Sequence, residues 1–197
     1  MIALDGTKPD GRRLRSADSR ARIVAAMLEL IYSGDVSPSA EHVATRADVG
    51  LRTVFRHFKD MDSLYREMTQ VIEVDIRAVA TEPFISTNWR EKLIEFVGRR
   101  TRAYERFGPF KRALDVHRYR SADMALDSSR VTSVLRWILS REVPPEVAED
   151  KTLFESLDLV LSFEAWNRLR RDQGLSAVEA REVLEVALWR LSAVAPD

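Results

Sequence analysis

Residues 39–59 hold two short amphipathic segments separated by three turn-favouring residues, and no other stretch restricts the fold of this chain as strongly. Ser39 supplies an N-cap oxygen, and Ala40, Val43, Ala44 and Ala47 follow at helical spacing, so one side of the first segment is apolar. Asp48-Val49-Gly50 interrupts the pattern. Asp tolerates left-handed backbone, and Gly50 is suited to cap the helix that follows. In that second helix Val54, Phe55 and Phe58 form the expected apolar side, with Leu51 at the entry and Arg52, Thr53, Arg56 and His57 as the polar set. Two helices joined in this way make a helix-turn-helix, whose second helix enters the major groove of DNA. The same pattern also arises where two short helices merely pack together in an all-α domain.

The flanks complete a three-helix unit. Upstream, Ser16, Asp18 and Ser19 are capping candidates for a helix carrying Ile23, Ala26, Met27, Leu30 and Ile31, closed by Gly34. Downstream of Lys59, Asp60 and Asp62 suit the positive N-terminal end of a fourth helix.

Residues 43–59 read Val43-Ala44-Thr45-Arg46-Ala47-Asp48-Val49-Gly50-Leu51-Arg52-Thr53-Val54-Phe55-Arg56-His57-Phe58-Lys59. This resembles the TetR family of bacterial transcriptional regulators, whose N-terminal domain carries a pattern like Ile-Ala-x-x-Ala-Gly-Val-Ser-x-Gly-Thr-Leu-Tyr-x-His-Phe followed by Lys. The resemblance covers about the first third of the chain by motif. It implies an all-α fold: an N-terminal three-helix helix-turn-helix DNA-binding domain plus a C-terminal helical ligand-binding and dimerisation domain. The implied partners are double-stranded operator DNA, a small-molecule effector and a second copy of the chain. DNA contacts are expected from Ser39, Arg52, Thr53, Phe55, Arg56, His57 and Lys59. Of these, Thr53, His57 and Lys59 would hold phosphates, while Arg52 and Arg56 would read bases, since a guanidinium pairs best with guanine. Three positions depart from the family pattern. Asp48 stands for the turn glycine, Arg52 for a second glycine, and Phe55 for a tyrosine whose hydroxyl would reach a phosphate.

Charge bears on this reading. The 197-residue chain has zero formal net charge, yet residues 12–59 carry nine basic against five acidic side chains, a local surplus of +4. Arg12, Arg13 and Arg15 are expected in a flexible arm over residues 1–17, ahead of a DNA-binding domain over 18–62 and an effector and dimerisation domain over 63–197. There is no cysteine, which excludes disulfides and thiol chemistry. No apolar run is long enough for a membrane span, and the first residues lack the order of a signal peptide, so a cytoplasmic protein is expected.

Beyond residue 60 the apolar spacing predicts helices over 61–81, 88–107, a short one from Gly108-Pro109 to His117, and then 121–141, ended by Pro144-Pro145. A nearly all-round apolar helix is predicted over 149–173, and after Gly174 and the cap Ser176 a last one over 177–193. Such apolar terminal helices suit self-association, and Leu153, Leu157, Val160, Leu161, Glu164, Leu184, Ala187, Leu188 and Leu191 are the expected interface; the core of a large helical domain would read alike. Phe96, Arg100, Tyr104, His117, Trp137, Phe163, Trp166 and Asn167 are candidate ligand contacts, with plain core packing the competing reading for each aromatic residue. His42, His57 and His117 have no metal-ligand spacing, and no phosphate loop, nucleophile elbow or metalloprotease motif occurs, so no cofactor, metal or catalysis is expected. The expected function is a ligand-responsive repressor binding a pseudo-palindromic operator as a homodimer. A transcriptional activator of the same fold, or a helical ligand-binding module that does not read DNA, are the alternatives.

Overall fold

The computed structural model describes residues 11–118 and 122–194, and among them every regular element is helical. The order is α1 (Gly11–Tyr32), α2 (Ala40–Arg46), α3 (Leu51–His57), α4 (Met61–Ala80), α5 (Trp89–Arg118), α6 (Ala122–Glu142), α7 (Pro145–Glu149), α8 (Lys151–Val160), α9 (Phe163–Asn167), which runs on into a wide π turn (Arg168–Asp172), and α10 (Ala177–Ser192).

Two apolar cores organise them. In the first, Ile23, Met27 and Ile31 stand one turn apart on α1 and meet Val43 and Ala44 of α2, Val54 of α3, Phe58 just beyond it, and Leu64, Tyr65 and Met68 of α4. Phe107, Phe110 and Ala113 of α5 belong to the same cluster, so a division at residue 62 is not a division of the core. In the second, Leu93, Phe96 and Val97 of α5 pack with Leu139, Leu153, Phe154, Leu157, Leu161 and Trp166, and with Leu184 and Leu188 of α10. Helix α5 therefore threads both.

That threading explains one departure from the sequence reading. Gly108-Pro109 was expected to end a helix, yet α5 continues through Pro109. Proline inside a helix costs about 3 kcal/mol. Burial of Phe107 and Phe110 on either side recovers about 1.5–3 kcal/mol each, so tertiary packing wins. At the other end, α1 starts at Gly11, and residues 11–17 of the expected arm are helical, because nothing between Arg12 and Asp18 breaks a helix and Arg, Leu and Ala favour one. The rest of that arm, residues 1–10, lies outside the described residues.

The expected helix over 149–173 is broken. Helix α8 stops at Val160, and Ser162 caps α9 by accepting the Ala165 amide at 3.1 Å. The break is held from across the fold: the carbonyl of Leu161 accepts from Arg100 Nη1 at 3.1 Å and from the Tyr104 hydroxyl at 2.8 Å. Pro144-Pro145 ends α6 as expected, and Pro145 then serves as the first residue of α7. Ser176 and Glu179 form a reciprocal capping box at the start of α10.

Candidate DNA-reading helix and interior cavity

Helix α2 starts as its sequence dictates: Ser39 Oγ accepts the His42 amide at 3.2 Å, and a backbone amide together with the Ser39 hydroxyl holds the Glu41 carboxyl below its ordinary pKa. Its end is a Schellman arrangement. The amide of Val49 donates to Ala44 O at 3.0 Å, the amide of Asp48 donates to Thr45 O at 3.2 Å, and Asp48 takes a left-handed φ of 52°. Gly50 then caps α3 through its backbone, its carbonyl accepting the Thr53 amide at 2.7 Å.

Helix α3 is anchored by buried Val54 and by Phe58 at its C-cap. Arg52, Phe55 and Arg56 follow one another at spacings of three and one, are all exposed, and form the outward face, with Lys59 exposed beyond them. Phe55 corrects the sequence reading, which set it on the apolar side with Val54 and Phe58: it is 48% exposed. A seven-residue helix has only one inward stripe, and Val54 with Phe58 fills it. Thr53 is half-buried. His57 is turned further inward than its expected role requires: its Nε2 is buried without a hydrogen-bond partner among the described residues. Burial, then the charges of Arg56 and Arg20, hold its pKa below the ordinary value.

A residue that the motif did not single out fixes this helix in place. Arg20 of α1 donates from Nε to both carboxylate oxygens of Glu67 on α4, at 2.8 and 2.9 Å, and from Nη1 to the carbonyl of His57 at 2.7 Å. Its Nη2 also donates to Glu67, and its guanidinium lies 4.4 Å from the Phe58 ring centroid. The end of α3 is thereby tied to α1 and α4 at once. Arg22 and Arg46 pair with Asp18 and Glu29 at 3.5 Å each, so three cations of the basic segment are engaged within the protein.

A cavity of about 180 Å³ lies between α4, α5, α6 and the α8–α9 junction. Phe96, Arg100, Tyr104 and Phe163, four of the expected ligand contacts, line it together. Tyr104 meets Phe163 edge-on at 5.5 Å, and burial pushes the Tyr104 hydroxyl up to about 12, so it stays protonated. Arg100 is 6% exposed, donates to the carbonyls of Leu161 and Leu135 at 3.1 and 3.0 Å, and lies 3.8 Å from Asp158. Its Nε is buried with no partner among the described residues. Thr69 and Ile72 of α4, Phe107 and Phe110 of α5, Leu135 of α6, and Ser162 complete much of the wall. None of these α4 and α6 members was among the expected ligand contacts, because periodicity reports which side of a helix is apolar and not which helix faces it.

Three other expected contacts lie elsewhere. Trp166 belongs to the second core, its Nε1 donating to Glu105 at 3.1 Å. Trp137 is exposed and lines a separate groove with Phe84 and Ile85, with the Arg141 guanidinium 5.1 Å from its ring centroid. Asn167 is absent from the cavity wall, and its Oδ1 is buried without a partner among the described residues. The backbone of His117 is in α5, and its side chain lies outside the described residues.

The expected interface residues also divide. Leu153, Leu157, Leu161, Leu184 and Leu188 are buried inside the protomer, where their side chains are already in contact with its own core and are not available to a partner. Val160, Ala187 and Leu191 are half-buried and Glu164 is exposed. The apolar side chains left in solvent on α8 and α10 are Leu159, Val178, Val183, Val186 and Trp189. Among the described residues no helix is long and apolar enough to cross a membrane.

No protein-family profile and no curated protein matches the chain. Solved structures do. A Streptomyces coelicolor protein assigned as a transcriptional regulator superposes with a TM-score of 0.59 at 20% identity, covering 87% of this chain and 98% of that one. A Mesorhizobium loti protein assigned as a TetR-family transcriptional regulator superposes with a TM-score of 0.52 at 15% identity, covering 91% and 98%. Such identities speak for the fold alone, and they do so over nearly the full length of both relatives. The chain has the all-α fold of the TetR-family transcriptional regulators.

Proposed function

We propose that the protein is a ligand-responsive transcriptional repressor that binds a pseudo-palindromic operator as a homodimer. The observation that carries this reading is the outward face of α3, where Arg52, Phe55 and Arg56 project together from a helix whose other side is locked into a core. Arg52 and Arg56 read base edges, and the Phe55 ring on the same exposed side suits a thymine methyl. Lys59, Thr53 and the Ser39 hydroxyl hold phosphates, and His57 contributes less than its place in the motif suggests. Two copies set two such helices into successive major grooves and block polymerase. The effector occupies the cavity beside α4. It releases DNA only if it binds the wrongly spaced state of the dimer more tightly than the DNA-bound one.

The engagement of Arg20, Arg22 and Arg46 in internal ion pairs favours a second reading, a ligand-binding module with too little free positive charge to hold DNA. One experiment separates the two. The purified protein is incubated with fragmented genomic DNA, retained fragments are sequenced, and binding is titrated with salt. A shared palindromic sequence whose affinity falls steeply with salt supports the regulator. Retention of no sequence above background refutes it. Repression is distinguished from activation by the position of that site relative to the promoter it controls.

A further inference from the structure

Helix α3 has only seven residues, too few to be stable in water by themselves, so its aim depends on what grips it. Val54 is its one buried residue and Phe58 its buried C-cap, while Gly50 caps its first turn without a side-chain hydrogen bond. Such apolar anchors fix how deeply the helix sits and leave its tilt soft, because hydrophobic contact has no direction. Direction comes from one bond. Arg20 Nη1 donates to the carbonyl of His57 at 2.7 Å, in the last turn, where helix carbonyls lack partners of their own. Among the described residues no other side chain hydrogen-bonds to α3.

Glu67 of α4 holds the rest of the Arg20 fork in place. Nε donates to both carboxylate oxygens at 2.8 and 2.9 Å, Nη2 donates to the same carboxylate, and the Phe58 ring centroid lies 4.4 Å from the guanidinium. All three nitrogens are thus engaged inside the protein, although Arg20 lies in the basic segment and its side chain is 42% exposed. A lysine ammonium lacks this fixed fork and cannot hold Glu67 and the His57 carbonyl in the same geometry. Small errors of aim matter here. Over seven residues rising about 1.5 Å each, a tilt of about 10° moves the far end of α3 by roughly 2 Å, and a recognition contact tolerates about 0.5 Å.

We propose that Arg20 and Glu67 are positioning residues of the reading helix: they set the tilt at which Arg52 and Arg56 meet base edges, and they serve sequence discrimination, not attraction to phosphate. This rests on reading α3 as a DNA-reading helix and names what aims it.

The test uses the full chain and two duplexes of equal length, one carrying the sequence recovered by retention of genomic fragments and one a scrambled version of it. Glu67→Gln separates aim from charge. It removes a negative charge beside α3, so electrostatics alone would tighten binding to any duplex. Positioning instead lowers affinity for the recovered sequence about 10- to 100-fold, the effect of a spoiled bidentate base contact, with no fall on the scrambled duplex. Arg20→Lys keeps the positive charge and is expected to show the same loss on the recovered sequence, with its salt slope and scrambled-duplex affinity unchanged. Amide hydrogen exchange without DNA reads the grip itself: residues 51–58 should exchange about tenfold faster in both variants, the effect of one hydrogen bond to a charged donor, with α5 and α10 as in the wild type. Either variant alone decides the matter if the other does not fold. Unchanged or tighter binding of Glu67→Gln to the recovered sequence, equal losses on both duplexes, a lower salt slope in Arg20→Lys, or unaltered exchange in α3 would each overturn the proposal. A wild type that retains no sequence above background ends the regulatory reading and this role with it. A wild type that reads a sequence, with variants that read it equally well, ends this proposal alone.

Discussion

In the proposed homodimer, Trp189→Arg is expected to separate the two copies while leaving each protomer folded. Trp189 stands on the outer side of α10, one turn from Val186, and is 59% exposed. A tryptophan side chain buries up to about 250 Å², so roughly 150 Å² remains for a partner to cover. If half of that is covered on each protomer, at about 25 cal/mol per Å², the loss across a twofold interface is about 4 kcal/mol. This corresponds to between two and three orders of magnitude in the dimer dissociation constant, before the cost of desolvating the new guanidinium is added. Sedimentation equilibrium from nanomolar to tens of micromolar concentration reads the constant, and a circular dichroism melt of the same sample reads the fold. Leu188→Arg is the contrast. Leu188 is fully buried one residue away, so a charge there removes core packing and the protomer itself melts. A Trp189→Arg protein with an unchanged dimer constant, or one that dissociates only as its helical signal is lost, would refute the assignment of this face.

Arg52→Ala is expected to reduce discrimination among operator sequences by about 1–3 kcal/mol, whereas Lys59→Ala weakens all duplexes alike and lowers the salt slope by about one unit; equal losses on every duplex from both variants would show the roles misassigned. Asp48→Gly relieves a left-handed φ of 52° and is expected to raise stability by about 1 kcal/mol, or Tm by about 2–4 °C, in a thermal melt; a fall in Tm would mean that the Asp48 side chain supports the turn. His57 has a folded pKa held below its ordinary 6.5, so its contribution is present above pH 6.5 and is lost as pH falls through the folded value. His57→Gln should therefore flatten the decline in stability between pH 7 and 5 in paired denaturant titrations; parallel curves would count against it.

The helix-turn-helix geometry was legible because its signals are local. Ser39 caps, Asp48 turns left-handed, Gly50 opens α3, and Val54 with Phe58 faces inward, each through atoms a few positions away. Legibility failed where the deciding partner is distant in sequence. Nothing near Pro109 shows that a core on either side will carry α5 through it. Nothing near Ser162 shows the break that Arg100 and Tyr104 hold from about 60 residues upstream. The leucines of α8 and α10 were read as an interface because hydrophobicity alone does not say whether the cover comes from the same chain or another, and the exposed valines and Trp189 were passed over for the same reason. Phe55 was assigned inward by its chemistry, against a helix too short to have room for it.

Ile72, Phe107 and Phe110 line the cavity and are also members of the core on which the reading head is built. The cavity wall and the support of α3 thus share one body of packed side chains. A substitution at Ile72, Phe107 or Phe110 that reshapes the void also changes what supports α1 to α4. On the proposed function, changes at those three positions would couple effector preference to operator affinity, so a library selected for one trait should be screened for the other.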